Sequence, residues 1–397
     1  MLYCAIKDVA NLVRGVTYKK DQASKEPFKG SISILRANNI VEGRIDFSDL
    51  VFVPAALASD EQHLAAGDIV ITMSSGSKNH VGKVALFKTS MEMAFGAFCA
   101  KLSPIDVLPE YLLYILRSNS FRKHIEQLSK GTNINNIKAD HILDYMIPVP
   151  PLDEQERIVA RIEELFSQLD SGVETLRKIK QQLAVYRQAV LKEAFADCDD
   201  KVIMGSVATM IDPQPSHRTP PEFENGIPYI GIGDIDYTGK TIRFKDARKV
   251  NPAVYEEHLK RYTLHVGDFV MGKIGTIGKP FRLPLPQNYT LSANVILIQP
   301  DEEKINPEYL FWQFSSPLIT EQLLEGKNET SQPAFGIQKA RLLAIKMCSP
   351  EAQEQIVFDI REKMSVCDSI EQTVDTALQQ AEAMRQSILK QAFEGGN

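Results

Sequence analysis

Residues 153–196 align without a gap on residues 351–394, a constant shift of 198, and 18 of those 44 positions are identical. Gln155, Asp170, Arg187 and Phe195 are among the residues repeated, as Gln353, Asp368, Arg385 and Phe393. Fainter echoes lie between: Leu64–Val70 resembles Leu264–Val270, and Pro109–Leu112 matches Pro307–Leu310. A repeat of this length sets the architecture before any motif is considered. The chain is a duplicated unit, each copy a globular module followed by a helix.

The repeated stretch carries apolar residues at alternating spacings of four and three, the heptad signature of a coiled-coil seam. The first copy offers Ile158, Ile162, Leu165, Leu169, Leu176, Ile179 and Leu183, continuing to Tyr186 and Val190 and interrupted at Gly172. The second offers Ile356, Ile360, Ile370, Val374, Met384 and Ile388, with Cys367, Ala377 and Ala381 between them and an interruption at Lys363. Ser349 as N-cap with Pro350 at the first helical position starts the second helix, and Asp153 with Glu156 has capping-box spacing for the first. Gly395-Gly396 stops the second. Each stripe could pack on its own module, but seams this narrow favour helix against helix. Like units meeting about a pseudo-twofold axis would pair the helices antiparallel and put the modules at opposite ends. The stretch from Ile158 to Val190 then spans roughly 48 Å at about 1.5 Å per residue, on the order of 14 base pairs at ~3.4 Å each.

Within each module, β-rich runs at 68–72 and 294–298 and helical stretches at 110–117 and 308–314 indicate an α/β or α+β fold. Polar clusters fall where turns are expected. In the first module these supply Arg14, Thr17, Lys19 and Lys20; Arg36, Asn38 and Asn39; Ser74, Ser75, Ser77 and Lys78; and Asn133, Asn135, Asn136 and Lys138. In the second they supply His217, Arg218, Lys273, Thr276, Lys279, Lys327, Asn328, Gln338, Lys339 and Arg341. Arg and Lys match guanine edges or phosphates, Asn matches adenine, and Ser or Thr contacts either. Asn, Ser and Gly also dominate ordinary turns, so each cluster alone has a plain structural reading.

Net charge is −6, which does not by itself suggest a nucleic-acid partner. Its distribution matters more. Residues 1–150 carry 17 basic and 15 acidic groups, whereas 350–397 carry 4 and 9. The acid excess lies mostly at the C-terminal end, and a DNA footprint would be local patches on the modules. No apolar run approaches the ~20 residues that span a bilayer, and the N-terminus lacks a secretory signal, so no membrane association is expected and the location is read as cytoplasmic.

Catalytic signatures are missing from the sequence. Gly272–Pro280 fails the P-loop spacing and ends in Pro where a helix should start. No Asn-Pro-Pro-Tyr or Asp-Pro-Pro-Tyr segment for base methylation occurs, and the acidic residues form no nuclease cluster. His63, His80, His124, His141, His217, His258 and His265 have no metal-ligand spacing, and the five cysteines form no Cys-x-x-Cys pair. The expected catalytic and metal sites are none.

The order of module, heptad helix, module and heptad helix, with Pro148–Gln155 leading into the first coil, resembles the specificity subunits of type I restriction-modification systems. RGVTYKK, RANNI, DLVFVP, MSSGS, FGAFC and NINNIK in the first module are similar to recognition domains of that family. The resemblance covers the whole chain. It implies an α+β fold of two pseudo-symmetric target recognition domains, 1–150 and 197–349, separated by two long antiparallel coiled-coil helices, 151–196 and 350–397. Each domain would read half of a bipartite double-stranded DNA site, and the helices would dock two modification subunits, with restriction subunits in the full complex. It implies no cofactor on this chain: S-adenosylmethionine, and ATP with Mg for restriction, would sit on partner subunits. The competing reading is a coiled-coil adaptor whose two modules bind protein.

Overall fold

The computed structural model describes residues 3–41, 43–75, 81–128, 136–216, 218–273, 278–325 and 335–394. They form two compact units, 1–176 with 376–397, and 177–375, so each unit takes a part of both long helices.

In the first unit an antiparallel sheet runs in the order Ala10–Arg14, Cys99–Pro104, Ile69–Thr72, Val84–Leu86. The strand Ile69–Thr72 is buried on both faces. Because successive side chains alternate, Ile69 and Ile71 join the core under the helices Pro109–Arg117 and Asn119–Leu128, while Val70 joins a second core with Leu35, Phe87 and Phe95. A smaller sheet, Val51–Pro54, Ser31–Leu35, Met93–Phe95, lies in that second region. The second unit repeats the plan. Its main sheet is Ala208–Ile211, Val295–Pro300, Phe269–Gly272, Phe281–Arg282, and its small sheet is Lys249–Val250, Ile227–Ile230, Thr290–Leu291. Phe269 and Met271 again face one core and Val270 the other.

Module and coil are joined by the same contacts twice. Gln155 Oε1 accepts the Leu108 N–H at 2.9 Å and its Nε2 donates to the Pro150 carbonyl at 2.8 Å. In the second unit Gln353 Oε1 accepts from Asn306 N–H at 2.9 Å and its Nε2 donates to the Cys348 carbonyl at 3.0 Å. The far end of the other helix closes each core. Phe393 stands edge-on to Tyr111 with centroids 5.4 Å apart, and Phe195 stands edge-on to Tyr309, also at 5.4 Å. Each pair is offset by the 198 residues of the repeat.

The long helices run Leu152–Ala194 and Pro350–Glu394. Ser349 Oγ accepts the Ala352 N–H at 3.3 Å, as its N-cap role requires. The first helix begins one residue before Asp153, with Glu154 and Gln155 N–H groups on the Pro151 carbonyl at 3.0 Å. Asp153 therefore sits in the first turn, where its charge meets the positive end of the helix dipole, rather than at the cap. The helix continues through Gly172. Gly395-Gly396 lies outside the described residues.

The helices pair antiparallel in both units: Arg385 bonds Asp170 in the first, and Lys180 bonds Asp375 (2.7 Å) and Arg187 bonds Asp368 (2.7 Å) in the second. The seam passes through Val159, Ile162, Phe166, Leu169, Val173, Leu176, Lys180, Leu183, Arg187 and Val190, all buried or half-buried. On the second helix it passes through Val357, Ile360, Met364, Cys367, Glu371, Val374, Leu378, Ala381 and Arg385. Of the expected core residues, Ile162, Leu183, Ile360 and Val374 are buried and Leu169 and Leu176 half-buried along this seam; Leu165 and Ile179 are half-buried beside it, and Ile158, Ile388 and Ile356 pack half-buried against the module cores. Ile370 and Met384 are corrections, being 41% and 53% exposed. At both places the adjacent charged residue, Glu371 or Arg385, takes the seam position, because Arg187 or Asp170 on the facing helix neutralises it. The seam also serves the modules, since Ile162 and Phe166 belong to the first module's core and Val357, Ile360 and Met364 to the second's.

Candidate nucleic-acid interface

Four polar clusters that are far apart in the first module's sequence converge on the turn Phe95–Cys99. Gly15 and Val16 N–H groups bond the Cys99 and Phe95 carbonyls at 3.1 and 2.7 Å, and Ala97 N–H bonds Val16 at 2.9 Å. The approach is so close that a Cβ on Gly15 would lie 2.3 Å from the Gly96 carbonyl oxygen. Gly96 N–H bonds Leu35, which brings in Arg36, and Met73 and Ser74 both donate to the Phe98 carbonyl at 2.8 and 3.2 Å. Ser74 bridges Asn136, Ile137 N–H bonds Met73 at 2.7 Å, and Arg14 Nη2 reaches the Ile137 carbonyl at 3.5 Å. The turn is a hub that gathers Arg14, Arg36, Ser74 and Asn136.

Around it, Arg14, Thr17, Lys19, Lys20, Asn38, Asn136 and Lys138 are exposed, and Ser74 and Ser75 are half-buried. Arg36 is held by Asp49, donating to its carboxylate at 2.8 Å and its carbonyl at 3.0 Å, and Asn38 Nδ2 donates to the same carboxylate at 3.2 Å. Asn39 differs from its neighbours. It is 2% exposed, its oxygen accepts the Arg36 N–H at 2.9 Å, and its NH2 donates to the Asp46 and Asp49 carbonyls, both at 3.0 Å. Its amide holds the turn that displays Arg36 and Asn38. Ser77, Lys78, Asn133 and Asn135 lie outside the described residues.

The second module builds the same hub from Leu291–Val295. Ser292 N–H bonds the Ile230 carbonyl at 2.8 Å and Lys273 N–H bonds Asn294 at 2.8 Å, the counterparts of Gly96 on Leu35 and Met73 on Phe98. Asp234 accepts the Gly231 N–H at 2.8 Å as Asn39 accepts that of Arg36, so Gly231 and Gly233 stand where the first module has Arg36 and Asn38. Without those side chains a cleft of about 550 Å³ opens, lined by Thr219, Tyr229, Asp234, Arg248, Lys273, Ser292 and Asn294. Lys273 is neutralised by Asp212 at 2.9 Å. Arg218 is exposed, and Lys279 Nζ lies 4.5 Å over the Tyr237 ring. Burial pushes the Tyr237 phenol up to about 12, so at neutral pH it stays an O–H, donating to the Lys279 carbonyl at 3.0 Å. Gln338, Lys339 and Arg341 lie exposed on the short helix Ile337–Arg341, Arg341 Nη2 donating to the Met210 carbonyl at 3.3 Å. His217, Thr276, Lys327 and Asn328 lie outside the described residues.

Sequence reasoning missed Phe98 and most of the cleft. Phe98 is 68% exposed, the most exposed aromatic among the described residues, yet in sequence it reads as a core residue. The cleft residues come from five separate stretches, and their signal was the Gly231-Ile-Gly233 spacing facing Arg36-Ala-Asn38 in the other copy.

Residues 3–184 match the family described as the type I restriction modification DNA specificity domain. The chain is 31% identical over 417 residues to the EcoKI specificity subunit of Escherichia coli, covering 98% of this chain and 88% of that one. It is also 31% identical over 408 residues to the StySPI specificity subunit of Salmonella potsdam, with 98% and 88% covered. The chain belongs to the type I restriction specificity subunits. A solved structure bearing on complex assembly and conformational transition of the type I R-M system shares the specificity subunit's fold, with a TM-score of 0.69 at 16% identity over 99% of this chain and 97% of that one. Among the described residues no helix is long and apolar enough to cross a membrane.

Proposed function

We propose that this specificity subunit is the DNA reader of a type I restriction-modification enzyme, each module reading one half of a bipartite duplex site through the surface around its hub turn. The observation that carries this is the hub itself. One turn per module gathers polar side chains from distant parts of the chain, with Arg14 and Asn136 exposed in the first and Arg248 in the second, and their donors and acceptors match base edges and phosphates. The framework is duplicated while the displayed side chains differ, as two different half-sites require. The paired helices set the spacing between half-sites and dock two modification subunits, with restriction subunits completing the assembly.

On this reading the chain is not catalytic and holds no cofactor. S-adenosylmethionine, and ATP with Mg for restriction, belong to the partners, and the complex works in the cytoplasm. Filter binding of the chain with and without its modification subunit tests this: a duplex carrying both half-sites is retained more tightly than one carrying either alone. Retention independent of sequence, or of DNA altogether, sinks the reading and favours the protein-binding adaptor.

A further inference from the structure

A single apolar side chain in solvent is ordinary on a protein surface, so the exposure of Phe98 needs its setting to mean anything. That setting is specific. The Phe98 carbonyl is held by two N–H groups, from Met73 and Ser74, and the neighbouring Cys99 carbonyl by Gly15. Its neighbours in the turn, Phe95 and Cys99, are fully buried and supply the core, so the protruding ring is not required for folding. Ser74 donates its N–H to the Phe98 carbonyl and bridges Asn136, and Arg14 reaches the Ile137 carbonyl beside that bridge. The second module has Asn294 at the equivalent place, its oxygen accepting the Ile232 N–H at 3.1 Å. The two modules therefore present different chemistry on the same support.

We propose that Phe98 is a specificity-determining residue of the first module, its ring packing on the C5-methyl group of a thymine in the major groove of the first half-site. Among groups on base edges in that groove the thymine methyl is the apolar one, and an apolar side chain is its match. Flanking Arg and Asn donors place the ring by bonding phosphates and neighbouring bases. This inference rests on the DNA-reading function proposed above.

The test uses the full chain in complex with its modification subunits and duplexes in which deoxyuridine, which lacks the methyl, replaces each thymine of the first half-site in turn. With the wild-type chain one replacement weakens binding about fourfold, the value of burying one methyl group. Phe98→Ala binds the thymine duplex at least about tenfold more weakly, since a whole ring loses its contact, and no longer distinguishes thymine from deoxyuridine. Phe98→Leu keeps part of the discrimination, replacements in the second half-site have no effect on the comparison, and both variants melt as the wild type does. A first half-site in which no thymine replacement weakens wild-type binding, a Phe98→Ala chain that binds as wild type, or one that weakens while still telling thymine from deoxyuridine overturns the inference and leaves DNA reading standing. Failure of the wild-type complex to select any bipartite site removes both.

Discussion

Arg187 donates to Asp368 at 2.7 Å across the long helices, and the same two residues of the repeat, with helices exchanged, form the pair Arg385 on Asp170. In both units a cation at a hairpin of the module also reaches that carboxylate: Lys240 Nζ lies 2.6 Å from Asp368, and Arg44 lies 3.8 Å from Asp170. Charge reversal at Asp368 thus places like charges at a seam position. Asp368→Arg is expected to lower stability by roughly 1 kcal/mol, the range of a partly exposed ion pair. The added exchange Arg187→Asp recovers part of the loss, since it restores the pair with residue 368 but leaves Glu371 and Lys240 facing like charges. Urea denaturation of the two variants checks it, and equal losses in both refute the pairing.

Phe195 and Phe393 are 3% and 8% exposed, and each closes the core of the unit it enters. Truncating a buried aromatic to Ala typically costs about 3–5 kcal/mol. Native-state hydrogen exchange on Phe393→Ala is expected to show lost protection around Tyr111, in a module nearly 300 residues earlier in sequence, and Phe195→Ala lost protection around Tyr309. Protection lost only beside the mutated residue in the chain contradicts this packing.

Asn38 and Asn39 are adjacent and do different work. Asn39→Ala strands the Asp46 and Asp49 carbonyls and the Arg36 N–H, and an orphaned buried group costs about 1–3 kcal/mol. It is expected to lower the melting temperature. Asn38→Ala leaves melting within about 0.5 kcal/mol of wild type, as surface changes do, while weakening binding to the first half-site. A melting loss confined to Asn38→Ala reverses the assignment.

Burial holds His258 below its ordinary value of 6.5, with Thr290 Oγ1 at 2.5 Å from one ring nitrogen and Gln214 on the other. The unfolded chain takes up a proton near 6.5 that the folded chain resists, so its stability advantage is present above that pH and declines as pH falls below it. Thermal melts at pH 7.5 and 5.5 are expected to show the second unit losing stability on acidification, with the dependence reduced in His258→Gln. An unchanged pH dependence in that variant assigns it elsewhere.

Much of this was legible in the sequence because the repeat is long and unbroken. The helices and Ile162, Leu183, Ile360 and Val374 at the seam follow from the periodicity, and the antiparallel pairing from the twofold relation that a duplicated unit favours. Apolarity alone points to Ile370 and Met384, whereas Glu371 and Arg385 hold the seam positions through partners on a facing helix that one stripe cannot reveal. The hub was legible only as scattered clusters. Pairing between residues as distant as 14 and 100, or 74 and 136, brings Arg14, Ser74 and Asn136 to the turn that carries Phe98, and no local pattern encodes such pairing. Asn39 carries the same letter as its neighbour Asn38, and only burial separates the turn-holder from the displayed residue.

Modular reading of the two half-sites is tested by a genome-wide map of methylated adenines in cells carrying this chain, compared with a chimera in which residues 1–150 come from another family member. The expected result is a bipartite site whose first half changes in the chimera while its second half and spacer are retained. A change in both halves, or a site that is not split, contradicts it.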